Sequence, residues 1–313
     1  MSFSKSPLSD QLGFGALVTD FDPAMISDTE TRQELFDLWI DRGVIVFRGL
    51  PDDPDTQIEL SRVFGNPAVH PFKSVTAQGN IQELADITYN PDRGDIVRIG
   101  DGPPLGAWMP WHFDLVYVEQ INHGGILRAK TLPADGGQTG FIDGLEAYTR
   151  LPEELRQEID DLYVVYRFDG DIAGLRHGNE PGIVLDRMNV GSTEIMGQID
   201  KFPAVSHPLV FTQAETGRKV LNFSPWFSLG IEGMDRQNSD RILSQVADVL
   251  IDKSNAYFHE WEEGDMVLWD NWRIVHCACG VPANQSRHMQ RTTIEGDYGF
   301  GRQTDWSEQL ESA

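Results

Sequence analysis

Short runs of β-branched and aromatic residues, each closed by glycine, proline, asparagine or aspartate, recur along most of this 313-residue chain and constrain its fold more than any other feature. Segments 44–47, 125–129, 164–168, 209–211, 220–223, 256–261, 266–270 and 290–295 read as strands. Helical patterns occupy three separate places. Ser27-Asp28-Thr29-Glu30 reads as a capping box, followed by Leu35, Phe36, Leu38 and Trp39 at helical spacing and closed by Gly43. Pro152 opens a second helix as its first residue, reaching about Asp161, and Ser239 caps a third that reaches about Asp252. Strand-rich stretches with helices set apart argue against a doubly wound parallel sheet. A mainly β double-stranded β-helix, the cupin-like jelly roll, with flanking helices fits better. With no internal repeat or linker, a single domain over 1–313 is expected. Segment 169–182, which carries Gly170, Gly174, Gly178 and Gly182, reads as a mobile loop.

Charge narrows the partners. Twenty-five basic against 49 acidic residues give a net charge of −24, and that field repels nucleic-acid phosphates and anionic lipid headgroups. A small-molecule ligand is expected, and an anionic one needs a local cluster of Arg, Lys or His. Homo-oligomerisation is left open. Residues 1–11 carry no charged leader and apolar core, and no run has membrane-spanning length, so a cytoplasmic location is expected. Cys277 and Cys279 share a strand face at about 6.8 Å, the outer edge of disulfide reach. A reduced pair is the reading that matches that compartment, and two thiols are too few for a structural zinc site.

His112-Phe113-Asp114 carries the first chemical content, because in a strand His112 and Asp114 point to the same side and can share a metal. Eight histidines among 49 acids in 313 residues produce about one such triplet by accident. The downstream segment 261–276 adds weight: two strands joined by the acidic turn Glu262-Glu263-Gly264-Asp265 lead through Trp269-Asp270-Asn271 to His276. A jelly roll brings such distant strands together. Two histidines and one carboxylate on one face leave the opposite positions of an octahedral iron open. Spacing alone does not exclude His70, His123, His177, His207, His259 or His288 from this role.

Taken in order, several pieces over 13–297 are specific together: Trp111-His112-Phe113-Asp114, Gly136-Gly137-Gln138-Thr139, His207-Pro208-Leu209-Val210 with Glu215-Thr216-Gly217-Arg218-Lys219, Gly264-Asp265 through to His276, and Arg287-His288-Met289-Gln290-Arg291. In these the chain resembles the taurine dioxygenase-like family of Fe(II)- and 2-oxoglutarate-dependent dioxygenases. The resemblance implies Fe(II) on His112, Asp114 and His276, 2-oxoglutarate on Thr139, Arg287 and Arg291, and use of O₂ with release of succinate and CO₂. Arginine forks suit the far carboxylate of a five-carbon diacid independently of the resemblance. Family members that halogenate replace the carboxylate ligand with a small residue; Asp114 is retained here, so hydroxylation is expected. The resemblance also puts His70 where the substrate anion is held, with Lys73 close behind, and Trp108 and Phe227 at the pocket walls; the glycine-rich segment 169–182 is expected to close over the site as a lid. A sulfonate, sulfate ester or carboxylic acid is the expected substrate. Two alternatives stand beside this reading: a metal-dependent hydrolase on the same fold, which leaves Thr139, Arg287 and Arg291 unexplained, and a non-catalytic jelly-roll binding protein.

Overall fold

In a computed structural model of the chain, residues 2–69, 81–169, 172–178, 182–189 and 201–306 are described. The β-branched runs pair into two principal sheets. One has the strand order Ser4–Pro7, Ala16–Thr19, Val44–Phe47, Met266–Asp270, Gly124–Thr131, Arg287–Ile294 and Pro67–Ala68, with Leu84–Tyr89 also on Arg287–Ile294. The other runs Ile183–Arg187, Ile96–Ile99, Leu105–His112, Ile274–Pro282, Thr139–Asp143 and Tyr257–His259. Neighbours are antiparallel except Ala16–Thr19 beside Val44–Phe47. The sheets meet in a core where Val44, Val46, Leu127, Val267, Trp269 and Met289 of the first pack on Phe141 and Ile274 of the second. A mainly β jelly roll is therefore present, as the strand pattern requires.

The helices cover the first sheet and one end. Thr29–Arg42 buries Leu35, Trp39 and Ile40 against Val18, Ile45, Phe47 and Leu268, each such side chain contributing about 1.5–3 kcal/mol. Its cap is Asp28, whose carboxylate accepts from the Thr31 amide at 2.9 Å. Ser27 instead closes the preceding 3₁₀ turn by donating to Ala24 O, so the expected Ser27–Glu30 capping box is not formed and the helix starts one residue later. Gly43, at φ 72°, ends the helix as expected.

Pro152 precedes Glu153–Ile159 rather than opening it. Asp235, not Ser239, caps Arg236–Leu250; the Ser239 hydroxyl accepts from the Ile231 amide and ties the helix to its neighbouring strand. Two helices escape the sequence pattern. Pro54–Phe64, capped by Asp53, turns polar Gln57 and Ser61 into the core, where Gln57 donates to Ile126 O and Gln290 O and Ser61 meets Thr292. Those polar core positions hide its apolar face. Gly144–Arg150 is the other, seven residues long and capped by Asp143.

Asp143 is also the hinge between sheet and helix. Its carboxylate receives Arg273 Nε at 2.8 Å and Nη2 at 2.7 Å, while Nη1 of the same guanidinium donates to Ile40 O at the end of Thr29–Arg42. This buried pair joins three elements beside the segment that ends in His276. Both its charges and the helix-end carbonyls are satisfied, which is what lets an ion pair sit in a core.

Candidate metal and cosubstrate site

His112 and His276 face each other across paired strands, Leu105–His112 and Ile274–Pro282. The ladder slips between His276 and Ala278, with the extra residue on the His112 strand. That strand ends at His112, so Asp114 reaches the site from the turn beyond it and not from the strand itself. Leu115 next to it takes φ 56°, bending the chain sharply there.

The three side chains converge. Ligand-capable atoms of His112, Asp114 and His276 all lie within 4.8 Å of one another. His276 Nε2 is 3.5 Å from Asp114 Oδ2 and His112 Nε2 is 3.8 Å from Asp114 Oδ1, too far for good hydrogen bonds and open enough to admit an ion between them. Asp114 Oδ2 is buried without a hydrogen bond. On the other side of the His112 ring Nδ1 lies 2.7 Å from Pro110 O, so Nδ1 carries the proton and the Nε2 lone pair turns inward. Burial, with His112 beside it, holds His276 down to about 4, leaving it neutral and able to bind a metal. Burial opposes the charge on Asp114, but Arg291, His276 and His112 outweigh it and hold that carboxyl well below the usual range. The two imidazoles and an ionised carboxylate whose buried Oδ2 lacks a hydrogen bond form the donor set of a facial two-histidine, one-carboxylate site, and a divalent iron fits it.

Behind the ligands stands Asn271, from the Trp269-Asp270-Asn271 run that leads to His276. Its Oδ1 accepts from the Asp114 amide at 2.9 Å, and its Nδ2 donates to Asp114 O at 3.0 Å and reaches Asn122. Both backbone groups of the carboxylate ligand are thus fixed by one side chain.

The residues expected at the cosubstrate are all buried. Arg287 and Arg291 lie on one face of Arg287–Ile294. Arg291 grips Asp114 and lies over the Trp269 ring at 5.4 Å. Gly125 makes room for it, since a Cβ there would stand 3.3 Å from Arg291 Nε and 3.1 Å from Thr292 O. Arg287 has no hydrogen bond or ion pair to a described residue, its Nε is buried and unpartnered, and burial pulls it down to about 10. Thr139 opens Thr139–Asp143, beside Ala278 of the His276 strand, and its hydroxyl accepts from Trp261 Nε1 at 3.1 Å.

Against His112 and Asp114 lies a cavity of about 410 Å³. Trp108 and Phe227, expected as walls, line it, together with Tyr89, Tyr117, Phe168 and Trp226. Arg291 is the one Arg or Lys among its described lining residues. Ala107, Leu115 and Phe227, three of the four non-glycine residues with positive φ among those described, border the same space. Backbone strain therefore gathers where side chains must be aimed at a ligand. Tyr117 and Trp226 were not singled out in the sequence, where an aromatic residue has no mark that separates wall from core. His70 and Lys73 lie outside the described residues. Of the expected lid, Ile172 lines the cavity, and residues 170, 171 and 179–181 lie outside those described. Cys277 and Cys279 on the His276 strand form no disulfide, the first being buried and the second half-buried. Among the described residues no helix is long and apolar enough to cross a membrane.

Comparison with known proteins agrees with this geometry. Residues 4–293 match the family described as taurine catabolism dioxygenase TauD, TfdA. The chain is 30% identical over 303 residues, covering 95% of itself and 99% of its relative, to the alpha-ketoglutarate-dependent 2,4-dichlorophenoxyacetate dioxygenase of Cupriavidus pinatubonensis. It is 29% identical over 286 residues, 91% of this chain and 92% of the other, to the (S)-phenoxypropionate/alpha-ketoglutarate-dioxygenase of Sphingobium herbicidovorans. In fold it is similar to a taurine dioxygenase from Burkholderia xenovorans, with TM-score 0.73, 23% identity, and 98% of this chain and 96% of that one covered. The chain therefore belongs to the TauD, TfdA family and is an alpha-ketoglutarate-dependent dioxygenase, an oxidoreductase that works with Fe(II), 2-oxoglutarate and O₂.

Proposed function

We propose that the enzyme hydroxylates a small carboxylate, sulfonate or sulfate ester that carries an apolar or aromatic body, releasing succinate and CO₂. The observation that carries this reading is the junction of His112 and Asp114 with a cavity of about 410 Å³ whose walls are largely apolar, with Phe, Tyr and Trp side chains among them. His112, Asp114 and His276 hold Fe(II), and bound iron with 2-oxoglutarate supplies the oxidising chemistry. This chain's side chains do the rest. Arg287, a buried cation with no partner among the described residues, takes the far carboxylate of 2-oxoglutarate as a planar fork, with the Thr139 hydroxyl beside it. Arg291 fixes Asp114 and adds positive charge on the side that faces the cavity. Trp108 and Phe227 hold the substrate body and exclude water. His70, with Lys73, anchors the anion, and 169–182 closes over the site, the whole of 1–313 acting as one cytoplasmic catalytic unit.

The substrates for which relatives are named support the class: 2,4-dichlorophenoxyacetate, (S)-phenoxypropionate and sulfate esters each join an acid to a less polar body. A hydrolase using the same ligands has no use for an Arg287 fork that is unpaired among the described residues. Oxygen uptake and succinate release across aryloxyalkanoic acids, alkyl sulfates and sulfonates, each beside its neutral amide or ester, test the reading. The acids are expected to couple and the neutral forms to fail, with the Michaelis constant of the best acid raised in His70→Ala. Preference for neutral forms, or an unchanged constant in His70→Ala, would remove the anion anchor.

A further inference from the structure

We infer that Trp261 is a positioning residue for 2-oxoglutarate: its indole N–H occupies an acceptor site of the Thr139 hydroxyl and so commits the Thr139 proton to the cosubstrate's far carboxylate. The inference rests on the reading above in which Thr139 meets that carboxylate. A hydroxyl has one proton to give and two lone pairs to accept with. An indole nitrogen only donates, so the 3.1 Å contact from Trp261 Nε1 fixes Thr139 Oγ1 as acceptor on that side. Thr139 is buried, and its hydroxyl donates to no described residue. A buried donor with an unused proton, its oxygen polarised by a second donor, favours an anion over a water or a neutral group.

The indole is itself held in place. Strand pairing sets His259 opposite Thr139, and the His259 ring meets the Trp261 ring edge to face at 4.6 Å and 84°. His259 is tied to Tyr257, whose Oη lies 3.0 Å from its Nδ1, and Asp265 Oδ2 lies 3.1 Å from its Nε2 without hydrogen-bond geometry. Asp265, fully buried, is gripped by Arg48 through Nε at 3.0 Å and Nη2 at 3.1 Å, and its Oδ2 accepts from the Glu262 amide at 3.1 Å. Arg48, Asp265 and His259 thus form a rigid backing behind Trp261, reaching from the turn 262–265 to the hydroxyl. Nothing in this chain of contacts touches His112, Asp114 or His276, so its effect belongs to cosubstrate affinity and not to metal affinity.

The experiment measures 2-oxoglutarate binding to the anaerobic Fe(II) protein, by calorimetry and by the visible charge-transfer band, in wild type, Trp261→Phe, Thr139→Val and the double variant. Trp261→Phe keeps the ring and removes the N–H. It is expected to weaken 2-oxoglutarate by up to about tenfold, the size of one neutral hydrogen bond lost behind the hydroxyl, with Fe(II) affinity unchanged. In the Thr139→Val background the same change is expected to have no further effect, and Thr139→Ser is expected to restore both affinity and sensitivity to Trp261→Phe. Unchanged 2-oxoglutarate affinity in Thr139→Val would overturn the placement of Thr139 and the inference with it. A weakened Thr139→Val beside an unaffected Trp261→Phe would overturn the inference alone. So would a tenfold loss that persists in the double variant, since that marks a packing effect independent of the hydroxyl.

Discussion

Arg291 Nη1 donates to Asp114 Oδ1 at 3.0 Å while its Nη2 stands 3.0 Å from Oδ2 without hydrogen-bond geometry, so the carboxylate ligand is ion-paired before any metal arrives and its Oδ2 is left without a hydrogen bond. Both partners are nearly buried, with side chains 10% and 13% exposed. Removing one partner of such a pair costs about 3–5 kcal/mol, because the other is left charged and unpaired. Arg291→Met is expected to destabilise the metal-free protein by that order in urea unfolding at pH 7, and Asp114→Asn on top of it to recover most of the loss. Strict additivity of the two substitutions would show that the pair contributes no coupling. The sign with pH follows from the depressed Asp114 carboxyl: its stabilisation is present above the ordinary carboxylate range and is lost as pH falls through the folded value.

Asn271 fixes the amide and the carbonyl of Asp114 together. Asn271→Ala releases both without touching a ligand atom, and outer partners of this kind typically matter by 10- to 100-fold in metal affinity. Mn(II) or anaerobic Fe(II) titration should show a loss in that range, against near-complete loss for His276→Ala. Wild-type affinity in Asn271→Ala would reduce the residue to a loop contact.

Arg287 gives two effects of opposite sign. As a buried cation with no described partner it destabilises the protein that lacks cosubstrate. Arg287→Met is therefore expected to raise unfolding free energy by about 1–3 kcal/mol while removing 2-oxoglutarate binding. A variant that loses stability and keeps 2-oxoglutarate would reassign the clamp.

How far the sequence discloses this molecule depends on the kind of signal. Val44–Phe47 and Met266–Asp270 are readable because β-branched and aromatic runs flanked by turn residues have few other uses. Pro54–Phe64 is hidden because Gln57 and Ser61 occupy core positions that only their distant partners, Ile126, Gln290 and Thr292, make tolerable. The metal ligands are legible as a spaced set, His112 and Asp114 close together with His276 far along. Asp114 nevertheless lies beyond the strand end, where side-chain alternation no longer applies. The roles of Asn271 and Trp261 depend on hydrogen bonds across 157 and 122 residues, and no local pattern encodes these.

Burial raises Asp270 to about 7, with Arg273 and the Trp272 amide opposing, in a pocket also occupied by His123, which burial holds down to about 3. The two groups pull stability in opposite directions with pH. Asp270 binds its proton more tightly in the folded chain, so its contribution is complete below the ordinary carboxylate value near 4 and is lost as pH rises through about 7. His123, with His177 and His207 also held down to about 4 by burial, contributes stability above the ordinary imidazole value near 6.5, lost as pH falls below it. Asp270→Asn keeps the shape and an oxygen for the Trp272 amide while removing the ionisation. The variant is expected to gain stability relative to wild type between pH 5 and 8, by up to about 4 kcal/mol if the whole shift is realised. Urea unfolding at the two pH values reads this directly. An equal pH dependence in both proteins would mean that Asp270 is ionised throughout and that its charge is compensated by Arg273.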